Sequence, residues 1–332
     1  MDQKISIVIP VRNESSYIAG CLDSILGSDH HGYSLEILVV DGMSDDGTRG
    51  LILDHAKKHP NIKLLDNEQR TAQFGINIGL KAASGDYIFI LSAHAKYPTN
   101  YFYTLVETMK KLNADCIGGV LKTDVKIKNK RSESIKLVLS DILGVGNSAF
   151  RVGTDAIKEV DTVAYGCYRR DVFKKYGLFD ERLVRNQDIE FNKRIKNRGA
   201  KIYITPDTVG TYYARSNFKD LASNNYGNGY WNILTTYYTG TFRSLNVRHF
   251  IPLIFVLSIL APALLSLIYM PFIYISLFSL VIYFSTIFTR ALVIKTRGSS
   301  WLFIGLSFFI LHWSYGLGSL MAMFKLVFIK RR

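Results

Sequence analysis

Residues 34–48 read SLEILVVDGMSDDGT: an aliphatic, β-branched run that stops at an aspartate and breaks into glycine, serine and further acids. Residues 4–14, KISIVIPVRNE, and residues 84–98, SGDYIFILSAHAKYP, have the same form. Short continuous apolar runs bounded by turn residues are the pattern of strands buried on both faces. Strands are therefore expected over 5–11, 35–41, 62–66 and 87–91, with amphipathic helices between and after them over 15–26, 48–58, 71–83 and 99–112. Alternation of this kind predicts parallel βαβ units, an α/β sheet covered by helices. In such sheets ligands gather beyond the carboxyl ends of the strands, and that is where the unusual polar residues fall: Pro10-Val11-Arg12-Asn13-Glu14, then Asp41 to Thr48, then Ser92-Ala93-His94.

Outside this pattern the composition changes. The chain has 332 residues, 48% hydrophobic and 20% charged, but residues 250–269, 271–288 and 301–324 carry almost no charge. Each run is long enough to span or enter a hydrocarbon layer of ~30 Å. The net charge is +14, and residues 249–332 contribute Arg290, Lys295, Arg297, Lys325, Lys330, Arg331 and Arg332 with no acid among them. Positive charge beside apolar segments suits anionic lipid head groups and argues against a nucleic-acid partner. Cys21, Cys116 and Cys167 have neither metal-site spacing nor a disulfide framework, which fits a reducing compartment. Met1-Asp2-Gln3-Lys4 leads straight into a strand, so no signal peptide is expected and the N-terminal domain is expected to stay cytoplasmic.

The usual phosphate cradles are missing: no GxGxxG follows the first strand and no P-loop occurs. A nucleotide would have to be held by side chains and a metal. Residues 185–194, RNQDIEFNKR, open a helix with Asp188 in its first turn, where the helix dipole favours a carboxylate. Residues 144–151 are glycine-rich and read either as a surface loop or as an acceptor-binding flap.

IVIPVRNE, VVDGMSDDGT, the strand-borne motif before AHAKYP, and NQDIEFNKRIKNRG together resemble the family-2 inverting glycosyltransferases of the GT-A fold. GVGNSAFRVG, EVDTVAYGCYRRDVF, GLFDE and YYARSNFKDLASNNYGNGYW resemble its succinoglycan-type exopolysaccharide branch. The resemblance implies a GT-A domain over 1–240, with a nucleotide-binding half at about 1–115 and an acceptor half at about 116–240, and a membrane region over 249–332 with two or three transmembrane or re-entrant helices. It implies Asp188 as catalytic base, and Pro10, Arg12, Glu14, Asp41, Asp46 and Ser92 around a nucleotide-sugar. Asp41 suits a uracil N–H, and Asp45 reads as a turn residue and N-cap for the helix at Thr48.

At residues 92–94 the family expects Asp-x-Asp or Asp-x-His around Mn²⁺ or Mg²⁺; this chain keeps His94 as metal ligand but has Ser92 where the first acid belongs. Three readings follow: an active site with relaxed metal demand, an active site in which another acid such as Asp86 substitutes, or a non-catalytic scaffold of a polysaccharide-assembly complex. The Gln-x-x-Arg-Trp signature of processive synthases has no match in residues 225–231, so one sugar per encounter is expected. The acceptor implied is a polyprenyl-diphosphate-linked oligosaccharide, with Arg151, Arg169 and Arg170 as candidate phosphate contacts; transfer to bare polyprenyl phosphate is the alternative. Residues 221–238, rich in Tyr and Trp, read as an interfacial or an ordinary packing helix. A multi-pass protein of the cytoplasmic membrane is expected. A membrane hairpin broken near Met270-Pro271 returns Arg290, Lys295 and Arg297 to the cytoplasm and satisfies the positive-inside rule, and a third full span would place Lys330, Arg331 and Arg332 outside.

Overall fold

The computed structural model of the chain describes residues 3–240 and 247–328; Lys330, Arg331 and Arg332 lie outside the described residues. The chain divides into two compact units, Met1–Lys122 with Ser148–Tyr213, and Thr123–Asn147 with Ala214–Arg332. In the first, β1 (Lys4–Val11), α1 (Ile18–Leu26), β2 (Ser34–Asp41), α2 (Thr48–Lys58), β3 (Ile62–Asp66), α3 (Ala72–Ala82) and β4 (Tyr87–Ile90) alternate as expected. They are followed by β5 (Ala95–Lys96), α4 (Tyr101–Leu112) and β6 (Cys116–Asp124). After α5 (Lys130–Val138) and α6 (Ile142–Val145) of the second unit, the first resumes with α7 (Ala149–Val152), β7 (Lys158–Glu159), β8 (Cys167–Arg169), α8 (Arg170–Tyr176), α9 (Gln187–Asn197) and β9 (Ile202–Tyr213). The second ends in α10 (Phe218–Thr239), α11 (Ile251–Leu265), α12 (Ile273–Ile294) and α13 (Trp301–Phe328).

The strands form one mixed sheet in the order β3-β2-β1-β4-β8-β6-β9-β5, with β7 on β9. β1 runs parallel to β2 and β4, β2 runs parallel to β3, and β8 enters antiparallel between β4 and β6. Because side chains alternate across a strand, β1 feeds two cores. Ile5, Ile7 and Ile9 pack with Ile18, Leu22 and Phe102 on one face; Val8 packs with Ile76 and Leu80 on the other, where Phe173, Phe191 and Ile195 continue the layer. Helices cover both faces, which is why the central strands carry almost no polar residues. Helix α1 starts at Ile18, three residues later than expected, because the backbone N–H groups of Tyr17 and Ile18 both donate to the Glu14 carbonyl in a turn (2.9 Å each).

The entry edge of the sheet is fixed by a buried acid. Glu36 accepts from Ser6 Oγ (2.5 Å), from the Ser84 backbone N–H (2.6 Å) and from Lys4 Nζ (3.1 Å). Burial pushes its carboxyl up, but the hydrogen bonds from Ser6, Ser84 and Lys4 outweigh it and hold the group at about 2, against an ordinary 4.5. A depressed acid stabilises the fold above its ordinary value and loses that contribution as pH falls toward the folded one. About 3 kcal/mol is therefore expected to disappear between roughly pH 4.5 and 2. Glu36→Gln should flatten this part of the melting-temperature profile of the solubilised chain; an unchanged profile would remove Glu36 from the account.

In the second unit, α5 and α6 are two separate helices. Asp141 accepts the Leu143 N–H (2.9 Å) and starts α6, while its other oxygen takes two bonds from the Arg290 guanidinium (2.9 and 2.6 Å). The glycine-rich stretch that follows is two short helical turns around Gly146, not one free loop. Gly144 is packed, since a Cβ there would lie 2.0 Å from the Val138 carbonyl oxygen. Three helices, Arg248–Leu265, Met270–Ile294 and Trp301–Phe328, are long and apolar enough to cross a membrane. The last is continuous, and its 28 residues reach about 42 Å at the helical rise. Leu267, Ile268, Phe278 and Leu292 are more than half exposed, an apolar surface suited to lipid. Helix α10 packs along α13, as an ordinary packing helix does.

Candidate active site

At the carboxyl ends of β1, β3 and β4 a cavity of about 320 Å³ opens, lined by Pro10, Arg12, Glu14, Asn67, Arg70, Thr71, Ser92, His94, Tyr165, Gln187 and Asp188 among others. Its rim is conformationally unusual. Asn13, Met43, Arg70, Tyr165 and Asn186 all have positive φ, between 53° and 61°, although none is glycine. Backbone strain of about 1–3 kcal/mol per residue persists where surrounding structure over-determines it, and it clusters at functional sites.

On one wall His94 Nδ1 lies 3.1 Å from Glu14 Oε1, and Ser92 Oγ lies 3.3 and 3.4 Å from the two ring nitrogens of His94. Tyr165 lines the same cavity. Tyr17 and Tyr212 meet the imidazole edge-on, and Arg151 stacks over the Tyr212 ring at 4.7 Å. Asp188 stands in the first turn of α9. Solvent reaches it through the cavity mouth, but it is walled by protein, and the loss of hydration raises its carboxyl above the usual range. Hydrogen bonds from backbone N–H groups, including Ile189 at 2.9 Å, and the charge of Arg151 partly oppose that shift.

The residues after Asp188 hold it in place. Arg194 pairs with Glu190 (2.8 Å) and donates to the carbonyls of Tyr176 and Leu178, while buried Asn192 accepts from Tyr168 Oη and donates to Thr162 Oγ1. The loop before α9 is clamped to α3 by Asn77, which donates to the Phe179 carbonyl and accepts its N–H.

Asp41 and Asp46 sit at the end of β2 but are absent from the cavity lining. Asp41 is fully buried and accepts from Ser44 Oγ (2.5 Å), from the Ser44 backbone N–H (3.2 and 3.3 Å to its two oxygens) and from Arg49 (3.2 Å), which occupies both carboxylate oxygens. Asp46 accepts from Thr48 Oγ1 (2.5 Å) and from the N–H groups of Thr48 and Ser15 (3.0 Å each). Burial raises its carboxyl, but these bonds prevail and the group is held well below the usual range. The turn expected of Asp45 is thus made by Asp46, and Asp45 instead pairs with Asn13 Nδ2 (2.9 Å).

Three other expectations are corrected. Arg169 pairs across the sheet with Tyr87, the first residue of β4, because β8 runs antiparallel. It and Arg170 therefore lie at the opposite rim, about 16 Å from Ser92 at a strand rise of ~3.3 Å. Arg169 donates to Asn113 and Arg170 to the carbonyls of Ala83 and Ser84. Asp86 shares that far rim, where it accepts the Lys4 N–H (3.0 Å), so it cannot replace an acid at position 92.

Sequence reasoning passed over Asn67, Thr71 and Tyr165. Asn67 follows β3, so the strand-end rule applied there would have found it. Its Oδ1 and Thr71 Oγ1 are buried without a hydrogen-bond partner among the described residues, as is Asn186 Nδ2 beside Asp188. Buried polar atoms beside a cavity can be satisfied by water or by a bound polar ligand. Among the described residues no three His, Cys, Asp or Glu side chains converge as a metal cage. Divalent ions at diphosphates need only one or two protein ligands, the substrate oxygens and water completing the shell. A carboxylate, an imidazole and a hydroxyl on one wall fit such an ion.

The comparisons with known proteins bear on the family and the fold. Over 94% of its length the chain is 32% identical to the dolichyl N-acetyl-alpha-D-glucosaminyl phosphate 3-beta-D-2,3-diacetamido-2,3-dideoxy-beta-D-glucuronosyltransferase of Methanococcus voltae, covering 95% of that protein. It is 28% identical to the succinoglycan biosynthesis protein ExoA of Rhizobium meliloti, over 67% of each chain. Its fold matches the mannosyltransferase PcManGT of Pyrobaculum calidifontis, solved with GDP-Man and Mn²⁺, with a TM-score of 0.59 at 16% identity, over 96% of this chain and 88% of that one. Residues 6–177 match the family described as Glycosyl transferase family 2. The mixed α/β sheet is accordingly of the GT-A type, and the chain belongs to glycosyl transferase family 2.

Proposed function

We propose that the protein is a membrane-anchored inverting glycosyltransferase that moves one sugar from a UDP-sugar to a polyprenyl-phosphate-linked or polyprenyl-diphosphate-linked sugar at the cytoplasmic face of the cell membrane. The observation that carries this reading is Asp188, a carboxylate raised by loss of hydration, in the same cavity as Glu14, Ser92 and His94. The lipid-linked acceptor is supported by the printed name of the Methanococcus relative and by three helices able to cross a bilayer. A role in exopolysaccharide or envelope polysaccharide assembly is supported by the Rhizobium relative. The proposed layout is a catalytic domain over 1–240, nucleotide half first, and a membrane region over 249–332.

Asn67 and Thr71, with open polar atoms beside Pro10, form the wall for the base, and Asp41 lies beneath them at the end of β2. A base that left these groups unpaired would be rejected. Glu14 and His94 face the diphosphate and would hold Mn²⁺ or Mg²⁺, which when bound neutralises the departing phosphate charge. Asp188 takes the proton from the acceptor hydroxyl as that oxygen bonds to the anomeric carbon and the bond to the diphosphate breaks. One base and no enzyme nucleophile give a single displacement with inversion. Arg151, stacked on Tyr212 near Asp188, lies where an anionic acceptor would pass.

The deciding experiment incubates the detergent-purified full chain with UDP-sugars and polyprenyl-linked sugars. Expected is one sugar added per acceptor, with the anomeric configuration inverted by NMR. Incorporation into bare polyprenyl phosphate would move the assignment to that acceptor. Absence of transfer by protein that binds UDP, across a broad donor and acceptor panel, would leave the scaffold reading.

A further inference from the structure

Ser92 removes one charge from the place where the resemblance requires it, and the chain restores that charge from a different strand. We propose that Glu14, at the end of β1, is the carboxylate that replaces the missing acid, and that it holds the divalent cation together with His94 only when a nucleoside diphosphate is bound. This rests on the reading of the cavity as a nucleotide-sugar site.

Other acids near the strand ends are committed elsewhere. Asp86 is at the far rim, Asp46 is saturated by Thr48 and Ser15, and Asp45 is bonded to Asn13. Glu14 alone among them reaches His94, and both side chains line the cavity. Two ligands at right angles on an ion about 2.1 Å away lie about 3.0 Å apart. The observed 3.1 Å between Glu14 Oε1 and His94 Nδ1 matches that edge. The same distance serves as a hydrogen bond in the ion's absence, so the pair is preorganised without a cage. Ser92, within 3.4 Å of both ring nitrogens, is placed for a metal-bound water or a phosphate oxygen. Two protein ligands are too few to retain Mn²⁺ alone, and the remaining positions fall to diphosphate oxygens and water.

The test reads Mn²⁺ binding to the full chain in detergent by electron paramagnetic resonance, with and without UDP, while UDP binding is measured separately in EDTA. Expected is at least about tenfold tighter Mn²⁺ binding with UDP than without it. Glu14→Gln should weaken the UDP-dependent binding by more than the ~10–100-fold that loss of an orienting partner alone costs, and Ser92→Asp added to Glu14→Gln should recover much of it. Glu14 turns the chain through its backbone carbonyl, so the variants are expected to fold; melting temperature and the milder Glu14→Asp check this. If Glu14→Gln stays within ~10–100-fold of the wild type and Ser92→Asp restores nothing, while His94→Ala abolishes binding, Glu14 at most orients the imidazole and the proposal falls. If the wild type binds no UDP, the nucleotide-site reading fails first and takes this one with it.

Discussion

Asp188→Asn is expected to lower sugar transfer by about 10²–10⁴-fold, the usual contribution of a positioned general base, while UDP binding in EDTA stays within a few fold. Asparagine keeps the shape of the side chain and its place in the first turn of α9, so the change isolates the proton acceptor. The pH dependence carries the same information with a definite sign. A base works when ionised, and surrounding protein raises the Asp188 carboxyl above its ordinary value of 3.8. The acidic limb of kcat/KM should therefore lie above where an ordinary aspartate would put it, with activity falling about tenfold per pH unit on its acid side.

Stability should move in the opposite direction. A carboxyl whose folded pKa is raised costs stability once pH exceeds that value, because the fold must hold an under-solvated charge. Asp188→Asn is thus expected to melt at or above the wild-type temperature at neutral pH. A variant that loses activity and also unfolds early would indicate a structural carboxylate. A variant that retains full transfer would remove Asp188 from the chemistry altogether.

The positions that answer such tests were readable for a physical reason. Parallel strands all end on one rim, so apolar runs that stop at Glu14, Asp41 and His94 bring distant residues together without knowledge of tertiary contacts. The rule fails where the strand turns around. β8 is antiparallel, and the two arginines at its end, which look in sequence like another strand end, sit on the far edge, Arg169 bonded to Asn113 and Arg170 holding the Ala83 and Ser84 carbonyls just after α3. Antiparallel β6, β8 and β9 have no local periodic signal that fixes their order, and Arg151 reaches Tyr212 across 61 residues of chain. Asn67 and Thr71 show themselves only as unfilled hydrogen-bonding atoms in a formed cavity. The Glu14–His94 pair was visible as two residues but not as a pair, because 80 positions separate them.

In the second unit the largest loss of stability is expected from adding a single methyl group where helices touch. A Cβ on Gly229 of α10 would lie 1.9 Å from the Tyr315 carbonyl oxygen of α13, and one on Gly318 of α13 would lie 2.1 Å from the Tyr226 carbonyl oxygen of α10. These are backbone atoms within helices, so neither can swing aside as a side chain would. Ser319 Oγ donates to the Gly229 carbonyl (3.0 Å), tying the helices at the same crossing. Contacts this close are the means by which helices associate in lipid, where apolar burial alone gives little preference for protein over acyl chain. Gly229→Ala and Gly318→Ala should each cost about 1–3 kcal/mol or more through overpacking, read as a drop of about 4–10 °C in the melting temperature of the solubilised chain. Gly50→Ala in α2 serves as the counter-experiment: it meets nothing within 4 Å and should be neutral or gain up to about 1 kcal/mol from helix propensity. Equal melting of all three would mean that α10 and α13 do not meet backbone to backbone. Loss in the two close-contact variants alone ties the stability of the second unit to a crossing that only glycine can occupy.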